Sequence, residues 1–256
     1  MYSAKYKLVD THAHLCDSVF DNDRDRVLER ARQAGVEAIV AVGEDLSDAQ
    51  RNLDLARMNP IIKPAAGLYP TYQDLDQAVE MMAFIRRHHS ELAAIGEVGL
   101  DFWVAKDHRE KGVQREIFTR FIALAKTLHL PLNVHSRSAG RHTVALLLEN
   151  NAAKVQLHAF DGKAAAALPA VEAGYFFSIP TSVVRSRQKQ KLVRQLPLDC
   201  LLVETDSPVL GPLPKERNEP ANLGLAVKAI AQIKDLDEAT VAAAVWENAS
   251  RLYGTF

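Results

Sequence analysis

Two histidines one residue apart, in Val9-Asp10-Thr11-His12-Ala13-His14, are the first residues in the chain whose types and spacing suit chemistry. In extended backbone, residues i and i+2 point the same way, so two neutral imidazoles there can face one divalent cation. Two loop histidines making ordinary hydrogen bonds are the plainer alternative. Glu97 lies in Ala94-Ile95-Gly96-Glu97-Val98-Gly99-Leu100-Asp101. A lone carboxylate in so apolar a setting is too costly to leave unpaired. A cation must stand beside it, either a metal or an arginine in a salt bridge. The flanking glycines favour close approach of backbone or ligand. Asp101 reads either as a group that orients a ligand histidine or as a cap for the next helix. Further on, His135 in Asn133-Val134-His135-Ser136-Arg137, His158 in Gln156-Leu157-His158-Ala159-Phe160 and Asp206 in Leu202-Val203-Glu204-Thr205-Asp206 each follow a short apolar run.

Those runs are the elements that must position the candidates. The pattern predicts strands over Lys7–Asp10, Ala38–Val42, Ile61–Ala66, Ala93–Val98, Pro131–His135, Lys154–His158, Gly174–Ile179 and Cys200–Glu204. Segments with apolar residues at helical spacing separate them, such as Val27, Ala31 and Ala34. Several strands are continuously apolar, as in a parallel sheet buried on both faces. Eight strand–helix units predict an α/β fold, a (β/α)8 TIM barrel. An open doubly wound sheet is the other candidate, but no Gly-x-Gly-x-x-Gly follows the first strand. Barrel active sites gather at the C-terminal strand ends. His12, His14, Glu97, His135, His158 and Asp206 fall at those ends of strands one, four, five, six and eight. Strand eight closes against strand one, which brings Asp206 beside His12 and His14. His88, His89, His108, His129 and His142 lack this placement and read as surface or supporting residues. The expectation is a metal-dependent hydrolase.

The 256 residues suit one barrel domain spanning 1–256, with 48% hydrophobic and 25% charged residues. The stretch from Ser207 to Pro220 holds four prolines and reads as an elaborated loop after the last strand. A net charge of −1 gives no basic excess for clamping long duplexes, so any nucleic-acid contact must be local or metal-mediated. Runs such as Val36 to Gly43 are too short to span a bilayer, so no membrane association is expected. Two cysteines argue against a disulfide framework. The opening Met1-Tyr2-Ser3-Ala4-Lys5 lacks the features of a secretion signal. A cytoplasmic location follows as the expectation, and no obligate protein partner is evident.

Five stretches together resemble the TatD family of metal-dependent deoxyribonucleases, in the family's order and over essentially the whole chain. They are Asp10-Thr11-His12-Ala13-His14-Leu15, Gly96-Glu97-Val98-Gly99-Leu100-Asp101, Val134-His135-Ser136-Arg137, His158-Ala159-Phe160 and Glu204-Thr205-Asp206-Ser207-Pro208. Arg217-Asn218-Glu219-Pro220 matches as well. The stretches 135–141 and 174–180 are most similar to the subgroup of TatD DNase domain-containing protein three. The resemblance implies hydrolysis of DNA phosphodiester bonds, with release of nucleotides from DNA ends. It also implies two divalent ions, the first on His12, His14 and Asp206, the second on His135 and His158, with Glu97 between them. Glu204 would serve a third, weaker ion or a water network. One departure stands out: Gly67-Leu68-Tyr69-Pro70 carries tyrosine where the family usually has a substrate-facing histidine.

No Ser-His-Asp or Cys-His set occurs at matching strand ends, which leaves water activated between two ions as the expected nucleophile. Asp206 is the candidate for receiving its proton, and Arg137 for taking charge on the phosphate. Zinc, manganese, nickel and magnesium all suit His/carboxylate donors. Arg185, Arg187 and Lys189 follow strand seven; they are either a solvated helix face or a track for phosphates. A small-molecule amidohydrolase or phosphoesterase on the same barrel is the alternative function.

Overall fold

The structure is a computed structural model, and it describes residues 6–255. The N-terminal segment 1–5, on which the absence of a secretion signal was read, lies outside the described residues. Eight parallel strands run in sequence order around the sheet: β1 (Leu8–Ala13), β2 (Val36–Ala41), β3 (Ile62–Ala66), β4 (Ala94–Gly99), β5 (Leu132–His135), β6 (Val155–Leu157), β7 (Phe176–Pro180) and β8 (Leu201–Glu204). Neighbours pair in parallel, as where Val9 lies beside Ala38 and Gly99 beside His135. The ring closes between β8 and β1, where the Asp206 amide donates to the His12 carbonyl at 2.9 Å and the His14 amide to that of Ser207 at 2.8 Å. The barrel expected from the sequence is the one found.

The helices form the outer layer: α1 (Arg24–Gln33), α2 (Leu46–Met58), α3 (Leu75–His88), α4 (His108–Leu128), α5 (Gly140–Glu149), α6 (Ala164–Glu172), α7 (Arg187–Gln195), α8 (Gly224–Lys234) and α9 (Glu238–Tyr253). Helix α4 starts where the Asp107 side chain accepts from the Glu110 amide and the Glu110 carboxylate accepts from the Asp107 amide, which satisfies two otherwise orphan donors. It ends at His129, whose φ of 56° leaves the right-handed helix. Its inner face buries Ile117, Phe118, Phe121 and Ile122. Each such side chain contributes about 1.5–3 kcal/mol by leaving water. Among the described residues no helix is long and apolar enough to cross a membrane. Cys16 and Cys200 are buried free thiols.

Strand β1 is longer than its apolar signal, running through the polar Asp10, Thr11 and His12, all buried. Strand β8 and its continuation supply the partners that make this tolerable. Thr11 Oγ1 donates to the Val203 carbonyl at 2.9 Å, and Asp10 accepts from both the amide and the hydroxyl of Thr205. The proline-rich stretch after β8 is tied down at several points. Asn218 Nδ2 donates to the carbonyls of Thr205 and Val209, while Arg217 pairs with Asp23 and Glu219 with Arg30.

Candidate metal centre

At the C-terminal strand ends, four donor atoms from β1 and the residue after it, from β4 and from the segment after β8 converge. His12 Nε2 lies 3.3 Å from His14 Nε2, 3.6 Å from Glu97 Oε2 and 3.4 Å from Asp206 Oδ1. His14 Nε2 lies 3.4 Å from Glu97 Oε2 and 3.6 Å from Asp206 Oδ1. A tetrahedron with arms of 2.0–2.1 Å has edges of about 3.3–3.4 Å, and these five separations of 3.3–3.6 Å lie close to that. The other oxygen of Glu97 faces a second set. Oε1 is 2.7 Å from His135 Nδ1 and 3.6 Å from His158 Nε2. The His12 and His158 rings stack with centroids 3.6 Å apart, which joins the two sets into one cluster. The residues present therefore fit divalent metal binding, with Glu97 facing both histidine sets.

Each ring is held from behind. His12 Nδ1 meets Asn133 Oδ1 at 2.8 Å, His135 Nε2 meets Asp101 Oδ2 at 3.2 Å, and His158 Nδ1 meets Glu204 Oε2 at 3.1 Å. Such contacts fix ring orientation and turn the opposite nitrogen toward Glu97. Glycine makes one of them possible. Gly99 has a φ of 148°, and a Cβ there would run into the His135 carbonyl. Asp101 does not cap α4, whose cap is Asp107. Its Oδ1 instead accepts from the amides of Trp103 and Val104, closing a turn, while Oδ2 holds His135.

Charge is balanced inside the cluster. Burial would raise Glu97, yet His12, His135 and His14 hold it well below the ordinary carboxylate value. Burial would lower His12 and His135, but Glu97 with Asp206 raises the first to about 10, and Asp101 with Glu97 raises the second to about 9. Asp206 is lowered against its burial by His158, His12 and His14. No arginine approaches Glu97 within salt-bridge distance among the described residues, which removes the alternative partner raised by the sequence.

A cavity of about 480 Å³ opens over the cluster, with Glu44, Arg51, Tyr69 and Val209 on its walls. The Tyr69 ring meets His135 edge-on, with centroids 4.9 Å apart. Burial, then Glu97, Asp101 and Glu44, push its phenol up, so the hydroxyl keeps its proton. Arg137 is exposed at the rim with its guanidinium 5.1 Å from the ring centroid of Trp103, itself 58% exposed. The cationic run after β7 divides. Arg185 and Arg187 are exposed, but Lys189 Nζ turns inward to the carbonyls of Ala159 and Phe160. Lys189 therefore braces the loop after β6 and is not open to a phosphate, contrary to its reading as part of a solvated or phosphate-tracking face.

An eight-stranded barrel with a carboxylate set between two histidine groups at the C-terminal strand ends defines the class: a metal-dependent barrel hydrolase. Residues 9–254 match the family described as TatD related DNase. The chain belongs to the TatD family. It is 46% identical to the human protein named deoxyribonuclease TATDN3, over 99% of this chain and 97% of the relative. It is 33% identical to the 3'-5' ssDNA/RNA exonuclease TatD of Erwinia tasmaniensis, over 96% of this chain and 99% of the relative. The crystal structure of YjjV, a TatD homologue from Escherichia coli K12, superposes with a TM-score of 0.90 at 24% identity, covering 97% of this chain and 98% of that one. This last likeness speaks to the fold.

Proposed function

We propose that this chain is a deoxyribonuclease that hydrolyses phosphodiester bonds at the ends of DNA, using two divalent ions held by its barrel mouth. The observation that carries the reading is Glu97, whose two carboxylate oxygens each face a separate set of histidines. His12, His14 and Asp206 would hold one ion, His135 and His158 the other, with Glu97 between them. Bound there, the ions would supply Lewis acidity at a phosphoryl oxygen and a lowered pKa for water. The donor atoms of His12, His158 and Glu204 also fall within 4.8 Å of one another. Glu204 is nonetheless assigned to orientation and not to a third ion. Its oxygens are taken by His158, the Ala159 amide and Ser178.

The chain's own groups account for the remaining steps. Asp206 is held ionised and presents Oδ1 to His12 and His14, leaving Oδ2 to accept a proton from the attacking water. Tyr69 stays protonated on the cavity wall, where its hydroxyl can donate to a phosphate oxygen without adding charge. Arg137 stands outside the cavity and would take the next phosphate along the strand. The two buried free thiols accord with a cytoplasmic setting. Chelator-treated protein should lose cleavage of a 3'-labelled single-stranded oligonucleotide and regain it on adding manganese or zinc. Full activity after verified removal of all metal would overturn the reading.

A further inference from the structure

The interior of the barrel below the cluster is divided by polarity. Val9, Ala38, Val40, Ala65, Ala94 and Leu202 make an apolar half, against which the Tyr253 ring packs. Asn133, Gln156, Ser178 and Glu204 are buried polar residues of β5, β6, β7 and β8. Tyr253 is the last residue of α9, a helix joined to the opposite end of the barrel, where Asn248 Nδ2 donates to the Leu198 and Leu201 carbonyls at the start of β8. The tyrosine thus reaches inward from the end remote from the cavity. Small alanine and valine side chains leave room for its ring, and its hydroxyl meets the polar half.

That hydroxyl is a branch point. It donates to Gln156 Oε1 at 2.6 Å and accepts from Asn133 Nδ2 at 3.2 Å. Each contact settles an amide's orientation, because the remaining partners agree with it. Asn133 Nδ2 also donates to the Thr11 carbonyl at 2.9 Å, which turns Asn133 Oδ1 toward His12 Nδ1. Gln156 Nε2 donates to the Thr11 carbonyl at 3.1 Å and to Ser178 Oγ at 2.8 Å, so the Ser178 hydroxyl proton goes to Glu204, which accepts from His158 Nδ1. One branch ends on His12 and the other on His158. In both, the imidazole donates through Nδ1, which turns Nε2 toward Glu97, where it would ligate an ion once its proton is displaced.

We propose that Tyr253 is a positioning residue for the metal centre: from the far end of the barrel its hydroxyl fixes the Asn133 and Gln156 amides, and through them the ring nitrogens that His12 and His158 present. The proposal rests on reading the cluster as a metal centre. Loss of the hydroxyl leaves Gln156 Oε1 buried without a donor. Turning the amide to seek the Ser178 proton would set that oxygen against the Thr11 carbonyl, so the amide is left between two unsatisfied arrangements and the grip on His158 loosens. Removing both partners leaves no such orphan, because replacing both members of a buried hydrogen bond by apolar groups can be nearly neutral. Tyr253→Phe alone should therefore be worse than Tyr253→Phe with Gln156→Leu.

The test is calorimetric titration of chelator-stripped protein with zinc, alongside the visible absorption of the cobalt-loaded form, for wild type, Y253F, Q156L and the double variant. We expect Y253F to bind the same number of ions about 10-fold more weakly, within the 10- to 100-fold range for losing an outer partner of a ligand. Its cobalt bands should shift, and the double variant should recover most of the affinity. Wild-type affinity and unchanged cobalt bands in Y253F would overturn the proposal, even with a lowered Tm, since a merely structural role moves only Tm. A double variant no better than Y253F would overturn it too. If Y253F does not fold, the comparison of Q156L with the double variant decides: equal zinc affinity in the two supports the route through Gln156, and a further 10-fold loss in the double overturns it. Failure of the wild type to bind zinc at all would instead refute the metal centre.

Discussion

At the floor of the barrel mouth, His12, His135 and His158 are each held from behind by a buried polar partner, namely Asn133, Asp101 and Glu204. At the rim, Arg137, Trp103, Arg185 and Arg187 are exposed; Arg137 lies over Trp103, and Arg185 Nε donates to the Gly211 carbonyl. The floor is made of residues in the strands or within two residues of their ends, whose positions the barrel dictates. The rim is made of exposed residues of loops and a helix start, whose positions it only permits. This difference separates two tasks. Strand ends suit chemistry that needs fixed geometry, and exposed rim side chains suit contacts that must adapt.

The largest effect should come from the floor. Glu97→Ala removes the carboxylate shared by both histidine sets, and activity should fall on the order of 10³-fold or more, with loss of both ions by metal analysis. Retention of two ions would show that the halves are independent. Next come the partners behind the rings. Asp101→Asn should weaken metal binding or activity about 10- to 100-fold with little change in Tm. An effect as small as that of a rim variant would erase the contrast between floor and rim.

Rim variants should act on binding. Trp103→Ala and Arg137→Ala should each raise KM for a single-stranded oligonucleotide about 10-fold, with kcat within about twofold, because one stacked base contributes about 1–3 kcal/mol. Arg137→Ala should also flatten the salt dependence of binding. A loss confined to kcat would move Arg137 down to the floor. The smallest effect belongs to the tie between the loop after β8 and α1. Arg217 holds Asp23 below the ordinary carboxylate value of 3.8. A carboxylate with a lowered folded pKa stabilises above its unfolded value and loses that contribution as pH falls through the folded one. Arg217→Ala should thus lower Tm at pH 7, with the gap to wild type closing as pH drops below 3.8.

Most of the floor was legible in the sequence, because ligand chemistry and strand-end position can both be read in one dimension. The barrel itself was legible from eight apolar runs spaced by helices. What could not be read was whatever depends on a distant partner. Asn133, Gln156 and Ser178 are polar residues within strands, and only the closed barrel brings them to His12, Tyr253 and Glu204. Strand β1, predicted to end at Asp10, looked short because Thr11 and His12 resemble a loop until β8 and the segment after it supply their partners. Lys189 resembled its charged neighbours, yet the carbonyls of Ala159 and Phe160 draw it inward. Asp101 could be narrowed to two roles but not assigned, because its helix-cap alternative fell to Asp107.

The central claim is that the floor holds two ions and that they are needed to cut DNA. Zinc or manganese titration of chelator-stripped protein, followed in the same samples by cleavage of a single-stranded oligonucleotide, tests it most directly. The account predicts two ions bound per chain and activity that appears as they fill. Binding of no ion, or full cleavage by metal-free protein, would contradict it.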